Sequence, residues 1–368
     1  MKVICNRAAL LEAVTIAQSV VPVRSPKPVL SCVKLTVGDD KLTIAGTDLE
    51  VAVKFVDAQV QVEVPGETLV PADKLRDIVR ESLDDTLALS VEGSEMHVRG
   101  ADSHFKIFTQ SASEFPPIPE PSGDADLEIA AGTLKQLIGQ TIFATAKEGT
   151  RYAFNGVLFT VDKQQITLVA TDGRRLALGR GDLVSVAKGK DKPKSIIPAK
   201  SLSLVDKLLS DAEQTVSITL TENQATFSTP DATLTTNLLE GVFPAYEEVI
   251  PKDTDKKMTA GTADFLSAVR RAALLTSDDN KGVRMEFSKA SGLVLTSRNP
   301  ESGEARVDFR SKYDGADLAI GFNPTFLGDA LKVVDTDEVT FELTAPNRPG
   351  LLKAGANFVY VIMPVNLQ

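Results

Sequence analysis

The feature that most constrains this chain is a pattern that occurs three times. Each copy has two alternating, strand-like runs joined to a polar turn, and the turns are Gly46–Glu50, Thr171–Leu176 and Arg298–Pro300. A proline then opens a helical pattern in each copy, at Pro71, Pro198 and Pro324. Successive prolines lie roughly 125 residues apart, which is the length of a whole domain and not of a solenoid repeat. The sequence therefore predicts three tandem copies of one domain.

Each copy contains the same order of predicted elements. An amphipathic helix comes first, then strands, then the proline-opened helix, and alternating strand runs resume at 87–91, 216–220 and 339–343. The leading helices carry apolar residues at helical spacing: Leu10, Leu11, Val14 and Ala17; Leu134, Leu137, Ile138 and Ile142; Phe265, Leu266, Val269, Ala272 and Ala273. These patterns predict an α+β fold in which each domain has two helices backed by antiparallel sheet with one face in solvent.

The domain boundaries are predicted where composition changes. Residues 116–126 are rich in proline, glycine and acid, and residues 251–257 form a short charged connector. We therefore predict a first domain at 1–124, a central domain at 125–252 and a third domain at 253–368.

Composition excludes some classes of function. The net charge is −10, whereas a protein that grips DNA by ordinary surface contact is usually basic, because lysine and arginine neutralise phosphates. No run of about twenty apolar residues and no signal-like start is present, so the sequence indicates no membrane association and a cytoplasmic protein. Cys5 and Cys32 lie in separate apolar patterns, which favours buried free thiols.

A search for catalytic motifs finds little. His97 and His104 are the only histidines, and they lack the helical spacing of a zinc site. The segment 172–175 combines a glycine with two arginines and admits a phosphate site, but a turn with exposed arginines is the favoured interpretation. An enzyme with its active site at a domain seam stays open as an alternative, and it would require a paired acid and base or a metal cluster. The carboxylates are instead scattered over predicted helix faces and turns.

From Met1 to its C-terminus the sequence resembles the family of bacterial DNA polymerase III beta subunits, the replicative sliding clamps. The stretches that carry the resemblance occur in a matching order and spacing: 46–50, 114–116, 151–159, 169–177, 239–252, 321–323 and 361–367. The resemblance implies a head-to-tail ring of two subunits and six domains, with helices around the hole and sheets outside. Such a ring encircles duplex DNA and tethers a polymerase for processivity. It has no catalytic site, metal or cofactor of its own.

A ring reconciles the acidic composition with DNA, because topology retains it and only the bore needs positive potential. The predicted DNA-binding residues, taken from helix-borne cations and from loops that the resemblance puts near the DNA, are Arg24, Lys74, Arg76, Arg80, Lys147, Arg151, Tyr152 and Lys200. Acidic residues lie among the helical cations, so a solvated helix face is the alternative interpretation of most of them.

The resemblance also implies a groove between the second and third domains that binds short linear peptides of client proteins. Its residues would be Phe154, Thr171, Gly173, Arg174, Arg175, Leu176, Pro244, Val249, Asn323, Phe326, Pro349, Val361, Ile362, Met363, Pro364 and Leu367. Leu176, Pro244, Val249, Val361 and Met363 would form an apolar floor for a Leu or Phe anchor, and Arg175 would orient the peptide. Without the family, ordinary core packing would explain the same apolar residues.

Three features depart from the family pattern. Arg174 stands where a histidine is common, and Phe154 stands where a smaller aliphatic residue is common. Glu247 and Glu248 stand where basic or mixed residues often occur. They bear on the preferred client motif. The implied partners are duplex DNA, a second copy of the chain, the DNA polymerase III catalytic subunit, the clamp loader complex, and other polymerases and repair proteins with clamp-binding motifs.

The subunit interface is predicted from apolar residues that the core of one domain does not need. Leu274 and Leu275 extend the apolar run beyond the core face of the third domain's leading helix. Phe105 lies in an alternating strand at 104–108, which the resemblance implies is the edge that pairs with a second subunit. The alternative is that Leu275 caps the core of its own domain.

Overall fold

The computed structural model describes residues 1–22, 25–57, 59–119, 124–147, 152–187, 189, 194–276 and 282–366. The chain divides into two compact units. Unit 1 comprises Met1–Gly132, Val184–Lys190 and Lys200–Leu238, and unit 2 comprises Thr133–Leu183, Asp191–Ala199 and Leu239–Gln368. Within the described ranges the chain forms six α-helices and 27 β-strands, and every strand pairing is antiparallel.

The three repeats of the sequence each supply nine strands and two helices. The first contains β1 Lys2–Asn6, α1 Arg7–Gln18, β2 Cys32–Gly38, β3 Lys41–Thr47, β4 Val51–Asp57, β5 Val60–Val64, β6 Gly66–Pro71, α2 Ala72–Glu81, β7 Thr86–Glu92, β8 Glu95–Arg99 and β9 His104–Phe108. The second contains β10 Leu127–Ala130, α3 Ala131–Thr141, β11 Gly156–Asp162, β12 Gln165–Thr171, β13 Arg175–Asp182, β14 Ser185–Val186, β15 Lys194–Pro198, α4 Ala199–Leu208, β16 Thr215–Leu220, β17 Gln224–Ser228 and β18 Ala232–Asn237. The third contains β19 Lys256–Gly261, α5 Thr262–Ala273, β20 Val283–Ser288, β21 Gly292–Asn299, β22 Gly303–Phe309, β23 Lys312–Asp314, β24 Leu318–Phe322, α6 Pro324–Lys332, β25 Glu338–Leu343, β26 Gly350–Ala354 and β27 Phe358–Ile362.

The predicted α+β class and the two helices per repeat are confirmed. The leading helix α1 begins where the Asn6 side chain accepts hydrogen bonds from the backbone N–H groups of Ala8 and Ala9, at 3.0 and 3.1 Å. Of the three prolines, only Pro324 is itself a helical residue, whereas Pro71 and Pro198 end the strand directly before the helix. The helices bury apolar stripes that include Leu10, Val14, Leu75, Val79, Leu202, Val205, Phe265, Val269, Leu327 and Leu331.

The structure corrects one detail of the predicted order. Each repeat begins with a short strand, β1, β10 or β19, and not with its leading helix. These strands alternate over only four to six residues, for example with Val3 and Cys5 buried, which is too short for a clear sequence signal.

Each unit contains one large sheet that joins strands of two repeats. In unit 1 the order is β14-β10-β16-β17-β18-β4-β3-β2-β6, and in unit 2 it is β15-β11-β12-β13-β27-β26-β25-β19-β23. The joining pairs are β4 with β18 and β13 with β27. Because two repeats share each large sheet, the compact units do not follow the repeats, and the boundaries at 124 and 252 stay a prediction.

The two joining pairs have the same register. We call strand residues of different repeats equivalent when they occupy the same place after the corresponding strands are aligned through their backbone pairing partners, starting from the strand before the leading or the second helix. Residues in or directly after the leading helix are equivalent when they lie equally far from its first residue. Val53 pairs with Leu234 across the first join, and the equivalent residues Ala177 and Tyr360 pair across the second. The repeats therefore connect to each other by one repeated geometry.

Each unit also contains a smaller sheet, with order β5-β1-β7-β8-β9 in unit 1 and β22-β21-β20-β24 in unit 2. In these sheets β9 is equivalent to β18 and β27, and β22 is equivalent to β4 and β13. Within the described part of the chain, β9 and β22 are edge strands. Each of the two strands that form a join between repeats therefore has a third equivalent, β22 or β9, which lies at the edge of its sheet.

Candidate functional site

The turn between β12 and β13 is fixed by its own side chains. The Thr171 hydroxyl donates to the Arg175 carbonyl at 2.7 Å and accepts from the Gly173 N–H at 3.1 Å. Asp172 Oδ1 accepts from the N–H groups of Arg174 and Arg175 at 2.9 and 3.0 Å. Gly173 adopts φ 84°, and the exposed Arg174 follows it. This turn therefore presents one arginine side chain to solvent on a rigid backbone.

The end of β27 lies alongside this turn. Arg175 pairs with Ile362 and Leu176 with Val361, and the Met363 N–H donates to the Arg174 carbonyl at 2.9 Å. Met363 is 40% exposed and Pro364 is half-buried. The segment after β27 is thereby held beside the Thr171–Arg175 turn.

The predicted apolar floor divides into core and surface residues. Leu176 and Val361 are only 3% and 1% exposed, and they belong to a buried cluster with Leu158, Val169 and Phe243. Val249 and Met363 are exposed and Pro244 is half-buried. Core packing therefore accounts for Leu176 and Val361, while Val249, Pro244 and Met363 offer apolar surface to a partner.

Arg175 is largely buried and its side chain is held by several groups of its own chain. The side chain is 9% exposed, and its guanidinium donates to Asp172 Oδ2 at 3.1 Å, to Asp329 Oδ2 at 2.9 Å and to the Phe143 carbonyl at 2.7 Å. It also lies 4.3 Å from the ring centroid of Phe326. Burial disfavours the charge, but the bond to Asp329 and the field of Asp172 raise the pKa of Arg175 above its ordinary value. Arg175 therefore stabilises the site from within, and the exposed arginine beside it is Arg174.

The remaining predicted groove residues lie close to these elements. Asn323 caps α6 by accepting from the Thr325 N–H at 2.9 Å, and the Phe326 carbonyl accepts from the Tyr360 hydroxyl at 2.9 Å. Residues that are half-buried and keep part of their surface in solvent are Phe154, Asn323, Phe326 and Pro349, while Thr171 and Ile362 are buried. Leu367 lies outside the described residues.

The predicted DNA-facing cations are largely paired with carboxylates. On α2 the ion pairs are Lys74 with Asp73 at 3.3 Å, Arg76 with Asp77 at 2.7 Å, and Arg80 with Glu81 at 2.9 Å. This helix carries three cations and three carboxylates, so it has no net charge. Exposed pairs of this kind contribute little to stability and can exchange partners.

The other predicted DNA contacts lie on different elements. At the start of α4, Lys200 contacts Asp48 Oδ2 at 2.5 Å. Burial opposes ionisation of Asp48, but Lys200 and the Val51 N–H hold its pKa below the usual range. Lys147 is exposed. Arg24, Arg151 and the Tyr152 side chain lie outside the described residues.

The predicted interface residues differ in exposure, and their role stays a prediction. Leu274 directly follows α5 and is 77% exposed, Leu275 is half-buried, and Phe105 on the edge strand β9 is 40% exposed. The sequence analysis did not single out Glu304 and Arg306. These two residues carry opposite charges on β22, an edge strand of the smaller sheet of unit 2. The signal that could have found them is the equivalence of β22 with β4 and β13.

No group of three or more His, Cys, Asp or Glu side chains within the described residues has the arrangement of a metal site. No helix in the same ranges is both long and apolar enough to span a bilayer.

Comparison with known proteins matches each repeat to a clamp domain. Family models of the DNA polymerase III beta subunit match residues 1–119 for the N-terminal domain, 128–245 for the central domain and 247–366 for the C-terminal domain. The beta sliding clamp of Pseudomonas putida is 35% identical, with 98% of this chain and 99% of the relative covered. That of Escherichia coli K12 is 32% identical with full coverage of both chains.

Solved structures give the same result. A sliding clamp from Pseudomonas aeruginosa, bound to griselimycin, has a TM-score of 0.94 at 34% identity, and one from Bacillus subtilis has a TM-score of 0.94 at 28% identity. Both comparisons cover 100% of each chain. The fold and these matches thus define a three-domain DNA sliding clamp. The chain belongs to the DNA polymerase III beta subunit family, the bacterial beta sliding clamps. Proteins of this name are processivity factors, so the alternative of an enzyme with a seam active site is not favoured.

Proposed function

We propose that two copies of the chain close into a ring around duplex DNA and that the groove beside Met363 tethers polymerases and other client proteins to it. The observation that carries the proposal is the match of all three repeats, in order, to the domains of sliding clamps. The clamp loader complex, the polymerase III catalytic subunit and repair proteins are the partners that this role requires. They act on chromosomal DNA, which implies a cytoplasmic location.

The open edges of the two smaller sheets support ring closure. Strand β22 is equivalent to β4 and β13, and β9 is equivalent to β18 and β27, so a β22-β9 pair between subunits repeats a connection already made twice within the chain. Each subunit offers one edge of each type. Head-to-tail pairing of two subunits therefore uses both β9 edges and both β22 edges and gives a closed ring of six domains.

The apolar residues at these edges support the same pairing. Leu274 is equivalent to Phe143, which lies 5.8 Å from Tyr360 between ring centroids, and Tyr360 is equivalent to Phe105. By this equivalence Leu274 packs on the Phe105 of the partner subunit. Exposed apolar side chains at both edges thereby become buried on association.

Retention on DNA then depends on topology more than on charge. The net charge of the chain is −10, and the three cations of α2 are matched by three carboxylates. Both facts argue against strong contacts with DNA phosphates. Lys74, Arg76, Arg80, Lys147 and Lys200, together with Arg24 and Arg151, provide weak contacts that exchange as the ring slides.

The groove supports binding of a short apolar peptide. Val249, Pro244 and Met363 provide apolar surface, the Arg174 side chain is free to contact an acidic flank, and the buried Arg175 network keeps the wall in place. Methionine at this wall accommodates anchors of different shape. Phe154, Glu247 and Glu248 set which client peptide motif the groove prefers.

A loading assay tests the ring directly. The protein is loaded by a clamp loader onto nicked circular DNA and washed at salt that abolishes phosphate contacts, and one half of the sample is then linearised. We expect retention on the circle and loss from the linear product. Equal loss from both would contradict topological binding. Neutralising Arg24 or Arg151 is expected to slow loading without dissociating the dimer.

A further inference from the structure

The two histidines of the chain form a pair on the open edge of unit 1. His97 Nδ1 lies 2.9 Å from His104 Nε2, and the rings stack with centroids 5.1 Å apart. One ring nitrogen must donate and the other must accept, so at least one imidazole is neutral. His97 is buried on β8, whereas His104 is exposed on the edge strand β9.

Charged groups of the same chain surround the pair. Glu92 and Glu95 each lie 4.0 Å from His97 Nε2, and Lys106 forms an ion pair with Glu95 at 3.0 Å. Arg99 is the register partner of His104. Lost hydration, then Arg99, His97 and Lys106, lower the pKa of His104 below its usual range, and Glu92 opposes them. These surroundings therefore favour the neutral imidazole of His104.

The repeated register identifies what faces His104 in a closed ring. Val359 pairs with Leu178 across the second join, and the equivalent residues are His104 and Arg306. The next outward-facing pair on the same side of the sheet is Lys106 with Glu304. In the single chain, Arg306 contacts Asp308 at 2.9 Å and Glu304 contacts Arg298 at 3.2 Å, both as exposed pairs.

We propose that the His97–His104 pair makes closure of the ring pH dependent, because a second subunit brings Arg306 against His104. Protonation of His104 places two cations opposite each other at both interfaces, while Asp308 screens Arg306 only in part. The inference rests on the proposed ring.

The direction of the effect follows from linkage. Arg306 of the partner disfavours the charged imidazole, so the dimer binds fewer protons than two separate subunits. Association is strongest above the histidine range and weakens as pH falls through it. A shift of one pKa unit at one histidine changes the association constant about tenfold, and a ring has two such interfaces.

The test measures the dimer dissociation constant by sedimentation between about pH 8 and pH 5.5, a range that spans histidine titration. We expect it to rise about tenfold or more in the unmodified protein, and to change much less in the variant with His97→Gln and His104→Gln. Arg306→Gln removes the facing cation and should reduce the pH dependence while both histidines remain. Circular dichroism at each pH verifies that the subunits stay folded.

The outcomes separate this inference from the ring itself. A dissociation constant that is the same at both ends of the pH range, or an equal rise in the double variant, would overturn the pH switch while leaving the ring intact. A protein that is monomeric at pH 8 as well would contradict the proposed ring.

Discussion

Leu49 and Gly173 occupy equivalent positions in two turns and share a left-handed backbone, with φ 79° and 84°. In each turn the preceding threonine hydroxyl accepts from the N–H of this residue, at 3.0 Å for Leu49 and 3.1 Å for Gly173. Leucine is strained in this conformation, whereas glycine is not. The hydrogen bonds of the turn therefore impose one backbone geometry on both repeats, whatever side chain the position carries.

Gly173→Ala is expected to lower the free energy of unfolding by about 1 to 2 kcal/mol, because alanine is disfavoured at positive φ. Steric conflict is not the cause, since the nearest atom to an added Cβ is Phe154 Cε2 at 3.8 Å. Denaturant unfolding measures the change. Gly139→Ala is the matched control: it lies on α3 with open space around an added Cβ, and it should stabilise by about 0.5 to 1 kcal/mol. Equal effects of the two changes would contradict strain at Gly173.

Removal of residues 363–368 should abolish binding of a polymerase-derived peptide and leave the dimer intact, because one wall of the proposed groove is lost. Met363→Ala should weaken peptide binding by about 1 to 2 kcal/mol, as truncation of an anchor contact does. Calorimetry measures the affinity and sedimentation the dimer. Leu83→Ala, a change at an exposed apolar residue outside the groove and the proposed interface, is the control for non-specific surface effects. Unchanged affinity after the deletion would put the groove elsewhere.

Arg175→Gln should lower the free energy of unfolding by about 3 to 5 kcal/mol, since it leaves Asp172 and Asp329 without their buried partner. Arg174→Gln, at the exposed neighbour, should change stability by less than about 0.5 kcal/mol and weaken binding of a peptide with an acidic flank. Denaturant unfolding and peptide titration separate the two effects. A stable Arg175→Gln protein that fails to bind peptide would restore the orienting role for this residue.

Leu274→Ala combined with Leu275→Ala should give a folded monomer that still binds client peptide, because the exposed Leu274 contributes to association more than to its own core. Sedimentation measures the association and denaturant unfolding the stability. Leu83→Ala, which removes another highly exposed leucine, is expected to leave the dimer unchanged. A double variant that stays dimeric at sub-micromolar concentration would contradict this interface.

The cysteines should be inert in the native protein. Burial, followed by the field of Asp57, raises the pKa of Cys5 to about 12, and burial with Asp73 raises that of Cys32 to about 11. At pH 8 the thiolate fraction of Cys32 is then about a thousandth, so an aromatic disulfide reagent should react with neither thiol until denaturant is added. Unfolded thiols ionise near pH 8.5, so stability should fall as pH rises above that value. Rapid labelling of the native protein would contradict the burial of both residues.

The regular parts of the fold could be predicted from the sequence because their signals are local. Alternation and helical spacing identify the hairpin of β12 and β13 and the stripe of Leu202 and Val205 without any distant residue. The Arg175–Asp329 contact has no such signal, since the two residues lie 154 positions apart and depend on β27 pairing with β13. For the same reason the burial of Arg175, a predicted groove residue, could not be predicted from its neighbours in the sequence. The groove itself was predicted from family resemblance, and local spacing alone would have assigned Leu176 and Val361 to the core.

The place of β27 in its sheet has a consequence for synthesis of the protein. It is the last of the described strands in chain order, yet it lies between β13 and β26 in the interior of the nine-stranded sheet. While the chain is being translated, β13 therefore waits with one edge unpaired, and neither Met363 nor the segment after it has reached its position. The large sheet of unit 2 is completed only after residues 358–362 have left the ribosome. A chain that stops before β27 lacks Met363, and under the proposed function it would therefore offer no groove wall to a client.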